Sequence, residues 1–166
     1  HDFRLFQKLL SVFKKGDVVL ADRGFSSFPS LATLLARGVD AVMRVHHFRK
    51  LDWRAGQRLG RRDRLVCWKK SQWQGGLWSR AQWEQLPAAI PVRLVEIVVA
   101  VPGFRTQKLV LVTTLLDAQT YSAAALGQLY FRRWAVELCF RDIKTTLGPD
   151  DAPQAASEEG SLRSHL

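Results

Sequence analysis

Five side chains near the C-terminal end of this sequence could do chemistry together: Tyr130, Arg133, Glu137, Arg141 and Lys144. At about 100° of rotation per helical residue they fall in a stripe roughly 80° wide. Leu129, Val136, Phe140, Ile143 and Leu147 form an apolar stripe directly beside it. One flank of such a helix is built for burial, and its edge carries one carboxylate bracketed by cations and a phenol. A carboxylate held among cations at the rim of a core can bind a metal ion and phosphates. The same spacing also makes ordinary helix ion pairs, Glu137 with Arg133 or Arg141. On spacing alone the ion-pair reading leads. A second candidate is Asp22, which follows the valine-rich run Asp17–Leu20. As the end of a buried strand it would sit where open α/β sheets bind ligands. As a turn or cap residue paired with Arg23 it would be purely structural.

The elements that must position these residues can be read in order. Phe3, Phe6, Leu10 and Phe13 recur at helical spacing, predicting a helix over Asp2–Lys15 stopped by Gly16, with Asp2 as N-cap. The strand ending at Asp22 follows, then a turn at Gly24. A helix opens at Ser26–Pro29 with Leu31, Leu34 and Leu35 facing inward, and Gly38 caps it. A second strand is expected over Val39–Val45. Strand, helix, strand in this length predicts a parallel, right-handed βαβ unit. Val92–Val101 and Gln107–Leu116, separated by Pro102-Gly103, read as a hairpin with Val95, Ile97 and Val99 on one face. The long helix starts at Thr120–Ser122 and runs to about Leu147, ended by Gly148-Pro149. Residues 149–166 have few apolar side chains and read as a disordered tail.

Between the βαβ unit and the hairpin the chain changes character. Residues 46–91 hold ten Lys or Arg against three acids, and five of the six tryptophans: Trp53, Trp68, Trp73, Trp78 and Trp83. Basic residues interleaved with aromatics can neutralise phosphates and stack on bases. For any single Trp, a place in a small core is the stronger reading. His46 and His47 have no metal-ligand partner at useful spacing and read as surface or turn residues. The net charge of +10 and the pI near 10.3 favour a polyanion partner, most simply nucleic acid. Cys67 and Cys139 form no spacing motif and read as reduced thiols of a cytoplasmic protein. No apolar run approaches the roughly 20 residues needed to cross a bilayer, so no membrane partner is expected.

The run Tyr130-x-x-Arg133-x-x-x-Glu137-x-x-x-x-x-x-Lys144 resembles the Tyr-Arg-Glu-Lys signature of DDE transposases of the insertion-sequence IS-four family, relatives of the Tn-five transposase. Val18-Val19-Leu20-Ala21-Asp22-Arg23-Gly24-Phe25 is similar to the strand that ends in that family's second catalytic aspartate. The resemblance implies an α/β fold: a ribonuclease-H-like catalytic domain over residues 1–148, partial and lacking its first strands, with residues 46–91 as a basic, Trp-rich insert of β character. It implies a DNA transposase that cleaves transposon ends and transfers strands. Asp22 and Glu137 would be catalytic ligands of a two-ion Mg²⁺ site. Tyr130, Arg133 and Lys144 would hold phosphates of double-stranded DNA at the terminal inverted repeats, within a homodimeric synaptic complex. Arg141 lies outside the signature, and Arg23 and Gly24 would shape the strand end.

No strand precedes Asp22 to carry the family's first aspartate. The chain opens on His1 and its one methionine is Met43, so it reads as a truncated fragment, inactive alone. The alternatives are a non-catalytic DNA-binding remnant and another ribonuclease-H-like nuclease.

Overall fold

A computed structural model of the chain describes residues 2–73, 75–100 and 106–133, with side chains from Phe6 onward. The chain divides after Arg133, and all described residues belong to the first unit. Glu137, Arg141, Lys144, Cys139, the Pro102-Gly103 turn and the tail at 149–166 lie outside them.

Six strands form one sheet: β1 (Val18–Ala21), β2 (Asp40–Arg44), β3 (Gln57–Gly60), β4 (Asp63–Lys69), β5 (Ala89–Val99) and β6 (Gln107–Thr113). The strand order is β1-β2-β6-β5-β4-β3. The β1–β2 pair is parallel, Val18 opposite Asp40 and Ala21 opposite Met43, and every other pair is antiparallel. Helix α2 (Phe28–Ala36) makes the crossover between β1 and β2. Ser27 caps it through the Ser30 amide, and Pro29 stands in its first turn, where its missing N–H costs no helical bond. Leu31, Leu34 and Ala32 on α2 are buried against Val39, Ala41 and Met43 in one core cluster. The parallel strand–helix–strand order is therefore as the residue pattern predicts.

Helix α1 (Asp2–Leu9) is shorter than its apolar spacing predicts. The Val12 amide bonds only three residues back, to Leu9, and the Lys14 amide is taken by the Asp17 carboxylate at 2.7 Å. These local bonds compete with the helical ladder and close the chain into turns before Gly16. Phe13 still packs, its ring 6.5 Å from that of Phe6.

The hairpin reading holds for β5 and β6, which pair from Arg93–Thr113 to Val99–Gln107. Val95, Ile97 and Val99 are buried, and Val98 between them is exposed. Residues 46–91 contribute β3 and β4, which extend the same sheet through seven β4–β5 residue pairs. They also form α3 (Arg80–Gln85), opened by a reciprocal capping box between Ser79 and Gln82. Trp68 and Trp78 lie in the core, Trp53 and Trp83 pack half-buried on it, and Trp73 is exposed with its indole N–H on the Trp78 carbonyl. Arg93, wholly buried on β5, receives Asp63 of β4 in a forked ion pair of 2.8 and 2.7 Å and donates to the Tyr121 carbonyl at 2.6 Å. That fork ties β4, β5 and the start of the last helix together.

Candidate active site

Strand β1 delivers Asp22 to the carboxyl end of the parallel pair. Its backbone is extended (φ −80°, ψ 174°), and a single 3₁₀ turn, Arg23–Phe25, follows directly. The Asp22 carbonyl accepts the Phe25 amide at 3.0 Å, but the side chain makes no cap bond. No ion pair to Asp22 occurs among the described residues, so the pairing with Arg23 that would make it purely structural is not formed there. The half-buried carboxylate is instead met by the Tyr130 hydroxyl, 3.4 Å from Oδ1. That is a long contact for an O–H donor, weaker than the usual range.

Tyr130 reaches this point from the last helix, α4, whose described part covers residues 123–133. Ser122 caps it by accepting the Ala125 amide at 3.1 Å, as the Thr120–Ser122 start predicts. Leu126 and Tyr130, four residues apart on one face, are both 2% exposed. Gly127 brings α4 close to β5: a Cβ there would lie 3.4 Å from Ile97 Cγ2. About one turn past Tyr130, the Arg133 guanidinium lies 5.8 Å from the Tyr130 ring centre, within cation–π range. Residues 108 apart in sequence are thus gathered at one point. Of the candidate site residues Asp22, Tyr130, Arg133, Glu137 and Lys144, the structure joins Tyr130 to Asp22 and sets Arg133 beside the Tyr130 ring; Glu137 and Lys144 fall outside the described residues.

The surroundings of Asp22 are cationic. A groove of about 490 Å³ beside the 3₁₀ turn is lined by Arg23, Ser26, Ser27, His46, Arg49 and Lys50, among others. His46 stacks on His47 with centroids 4.5 Å apart, Phe48 meets His47 at a tilt with centroids 3.9 Å apart, and Phe48 is 80% exposed. Desolvation, then the charges of His46, Arg23 and Arg44, lower the His47 pKa. The residue pattern marked these histidines as surface or turn residues, and His47 is an exposed turn residue. Arg49 is held differently, its guanidinium 3.6 Å from the Trp68 ring centre.

Chemically, Asp22 offers hard carboxylate oxygen, the ligand type preferred by Mg²⁺ and Ca²⁺. Its side chain is used by neither a cap nor an ion pair among the described residues, so it fits as one ligand of such an ion. Among those residues no three His, Cys, Asp or Glu side chains converge on one point, so Asp22 would be one member of a larger set.

Comparison with known proteins gives the family of the chain. The family described as Transposase DDE domain matches residues 1–152, and the chain belongs to that family. It is 26% identical over 144 residues to the transposase InsG for insertion sequence element IS4 of Escherichia coli (strain K12). That match covers 86% of this chain and 30% of InsG, so the chain spans less than a third of this relative's length. No solved structure matches. Domains of this family are metal-dependent, so a divalent cation is its general cofactor class. No helix among the described residues is long and apolar enough to cross a membrane.

Proposed function

We propose that this chain carries part of the DNA-cleaving centre of an insertion-element transposase with a ribonuclease-H-like catalytic domain. The observation that carries the reading is the Tyr130–Asp22 contact, which joins the two signature segments at one sheet end. Asp22 and Glu137 are the carboxylate ligands, and Mg²⁺ is the cation. When bound, that cation supplies Lewis-acid activation of the attacking oxygen, a water or a 3′-hydroxyl, and charge stabilisation of the leaving oxygen. Arg133 and Lys144 hold phosphates of the bound transposon end, Arg through its planar fork and Lys as a point charge. Tyr130 orients the Asp22 carboxylate in the free protein. A phenol has one proton to donate, so its own phosphate contact requires the hydroxyl to turn away from Asp22 when DNA arrives. The partners are double-stranded DNA at terminal inverted repeats and a second copy of the protein in a synaptic dimer.

The test is strand cleavage by a complete protein that contains this segment. Asp22→Asn and Glu137→Gln should each abolish Mg²⁺-dependent cleavage of the element's own ends, with DNA affinity within about twofold of wild type. Cleavage that survives either change would remove that residue from the ligand set. Lys144→Ala should instead weaken end binding.

A further inference from the structure

Arg93 is wholly buried on β5 and lies outside the Asp22 site. Its Nε and Nη2 both donate to the Asp63 carboxylate, at 2.8 and 2.7 Å. A guanidinium is planar, so that fork fixes the direction of the remaining nitrogen. Nη1 donates to the Tyr121 carbonyl at 2.6 Å. Stability alone does not call for this arrangement, because apolar residues of similar volume often replace a buried ion pair without loss. What apolar residues cannot supply is the aimed bond to Tyr121.

That bond falls at the entry to α4. Tyr121 precedes the cap residue Ser122, so its carbonyl stands outside the helical ladder. The turn before it is closed on itself. The Asp117 carboxylate accepts the Gln119 amide and the Thr120 hydroxyl, and the Asp117 carbonyl accepts the Tyr121 amide. Little slack is left between the Tyr121 carbonyl and the helix. Arg93 and Ile97 lie on one face of β5, both buried, with Val95 between them. Arg93 holds the start of α4, and Ile97 meets the helix at Gly127.

Register relates this anchor to Asp22. Asp63 pairs with Val95, Val95 with Leu111, and Leu111 with Arg44. Ala21 pairs with Met43, so Asp22 stands level with Arg44 at the same end of the sheet as Asp63. In the order β1-β2-β6-β5, three strand spacings of about 4.8 Å, about 14 Å in all, separate Asp22 from β5. Tyr130 follows Tyr121 by about 13 Å of helix at 1.5 Å per residue. Over that length a tilt of about 10° at the entry displaces Tyr130 by about 2 Å. The Tyr130–Asp22 contact, already 3.4 Å long, does not survive such a displacement.

We propose that Arg93 is a positioning residue of the Asp22 site: through the Tyr121 carbonyl it sets the pose of α4 that brings Tyr130 to the Asp22 carboxylate. Its part in strand cleavage rests on the transposase reading above; its effect on the contact does not.

The test reads the contact directly. The chain has two tyrosines, Tyr121 and Tyr130. Labelling the whole 166-residue chain with 3-fluorotyrosine therefore gives two ¹⁹F resonances, assigned through Tyr121→Phe and Tyr130→Phe. Asp22→Asn should displace the Tyr130 resonance in the otherwise wild-type chain. Made in the Asp63→Leu/Arg93→Met chain, with cooperative urea unfolding as proof of folding, Asp22→Asn should leave that resonance in place. If this pair does not fold, Arg93→Lys replaces it, since an ammonium keeps a charge on Asp63 but has no fork to aim at Tyr121. A displacement undiminished in a folded variant makes Arg93 purely structural; that overturns the proposal and leaves the transposase reading standing. If neither variant folds, Arg93 serves the fold itself and the proposal falls. If the wild-type chain shows no displacement, the Tyr130–Asp22 contact is absent, and the proposal falls together with the observation that carries the transposase reading. In a complete protein the folded variant should lower kcat for strand cleavage on the order of a hundredfold with end binding retained; undiminished cleavage would remove Arg93 from the reaction.

Discussion

Asp22 and Asp63 occupy the same end of one sheet and have opposite fates. Asp63, in the antiparallel half, is 6% exposed and gripped by both arms of Arg93. Asp22, in the parallel half, has one long phenol contact and no cap or ion-pair duty among the described residues. Both are aspartates beside basic residues, so residue type and charge do not separate them. What separates them is whether the carboxylate's bonds are already used by the fold. A structural aspartate has its partners inside the chain; an aspartate available for chemistry has room left for a ligand. The arginines beside it mirror this: with Asp63 turned inward, Arg61, Arg62 and Arg64 make no ion pair among the described residues.

This contrast makes predictions of decreasing size. Asp63→Ala should cost the most, about 3–5 kcal/mol, because Arg93 would remain buried with an uncompensated charge. Urea unfolding measures it, and a loss under about 1 kcal/mol would mean that water reaches Arg93. Replacing both partners, Asp63→Leu with Arg93→Met, should recover most of that loss, since removing a buried pair together is often nearly neutral. Failure to recover would assign the stability to the Arg93 bond on the Tyr121 carbonyl instead. Leu126→Ala should cost about 2–5 kcal/mol by opening a cavity beneath α4. Tyr130→Phe should cost less than about 1.5 kcal/mol, the value of one ordinary hydrogen bond. Asp22→Asn should change the unfolding midpoint least, within about 0.5 kcal/mol. A large loss there would make Asp22 structural and erase the contrast with Asp63.

The parallel half was legible because its signals are local. Valine-rich strands, the Ser27–Pro29 helix start and the Gly38 stop all lie within a few residues of what they control. The meeting of Asp22 with Tyr130 was legible only through the two family segments; nothing in spacing alone joins residues 108 apart. The antiparallel extension was hidden for the same reason in reverse. The β4–β5 register depends on pairing Asp63 with Val95 across 32 residues, and on a buried fork that looks like two surface charges in the sequence. Helix α3 was readable but missed: Ser79 followed three residues later by Gln82 is a capping-box spacing. The early end of α1 turned on Asp17 capturing the Lys14 amide, a competition that apolar periodicity does not register.

The strand order carries a consequence for synthesis. Strand β2 ends at Arg44, yet the neighbour on its far side, β6, closes only at Thr113. During translation at about 5–20 residues per second, β2 waits roughly 3–14 s with one edge unpaired. Bare strand edges recruit other chains. In that interval the parallel half presents a bare β2 edge to wrong partners, the stage at which a holding chaperone would act on it.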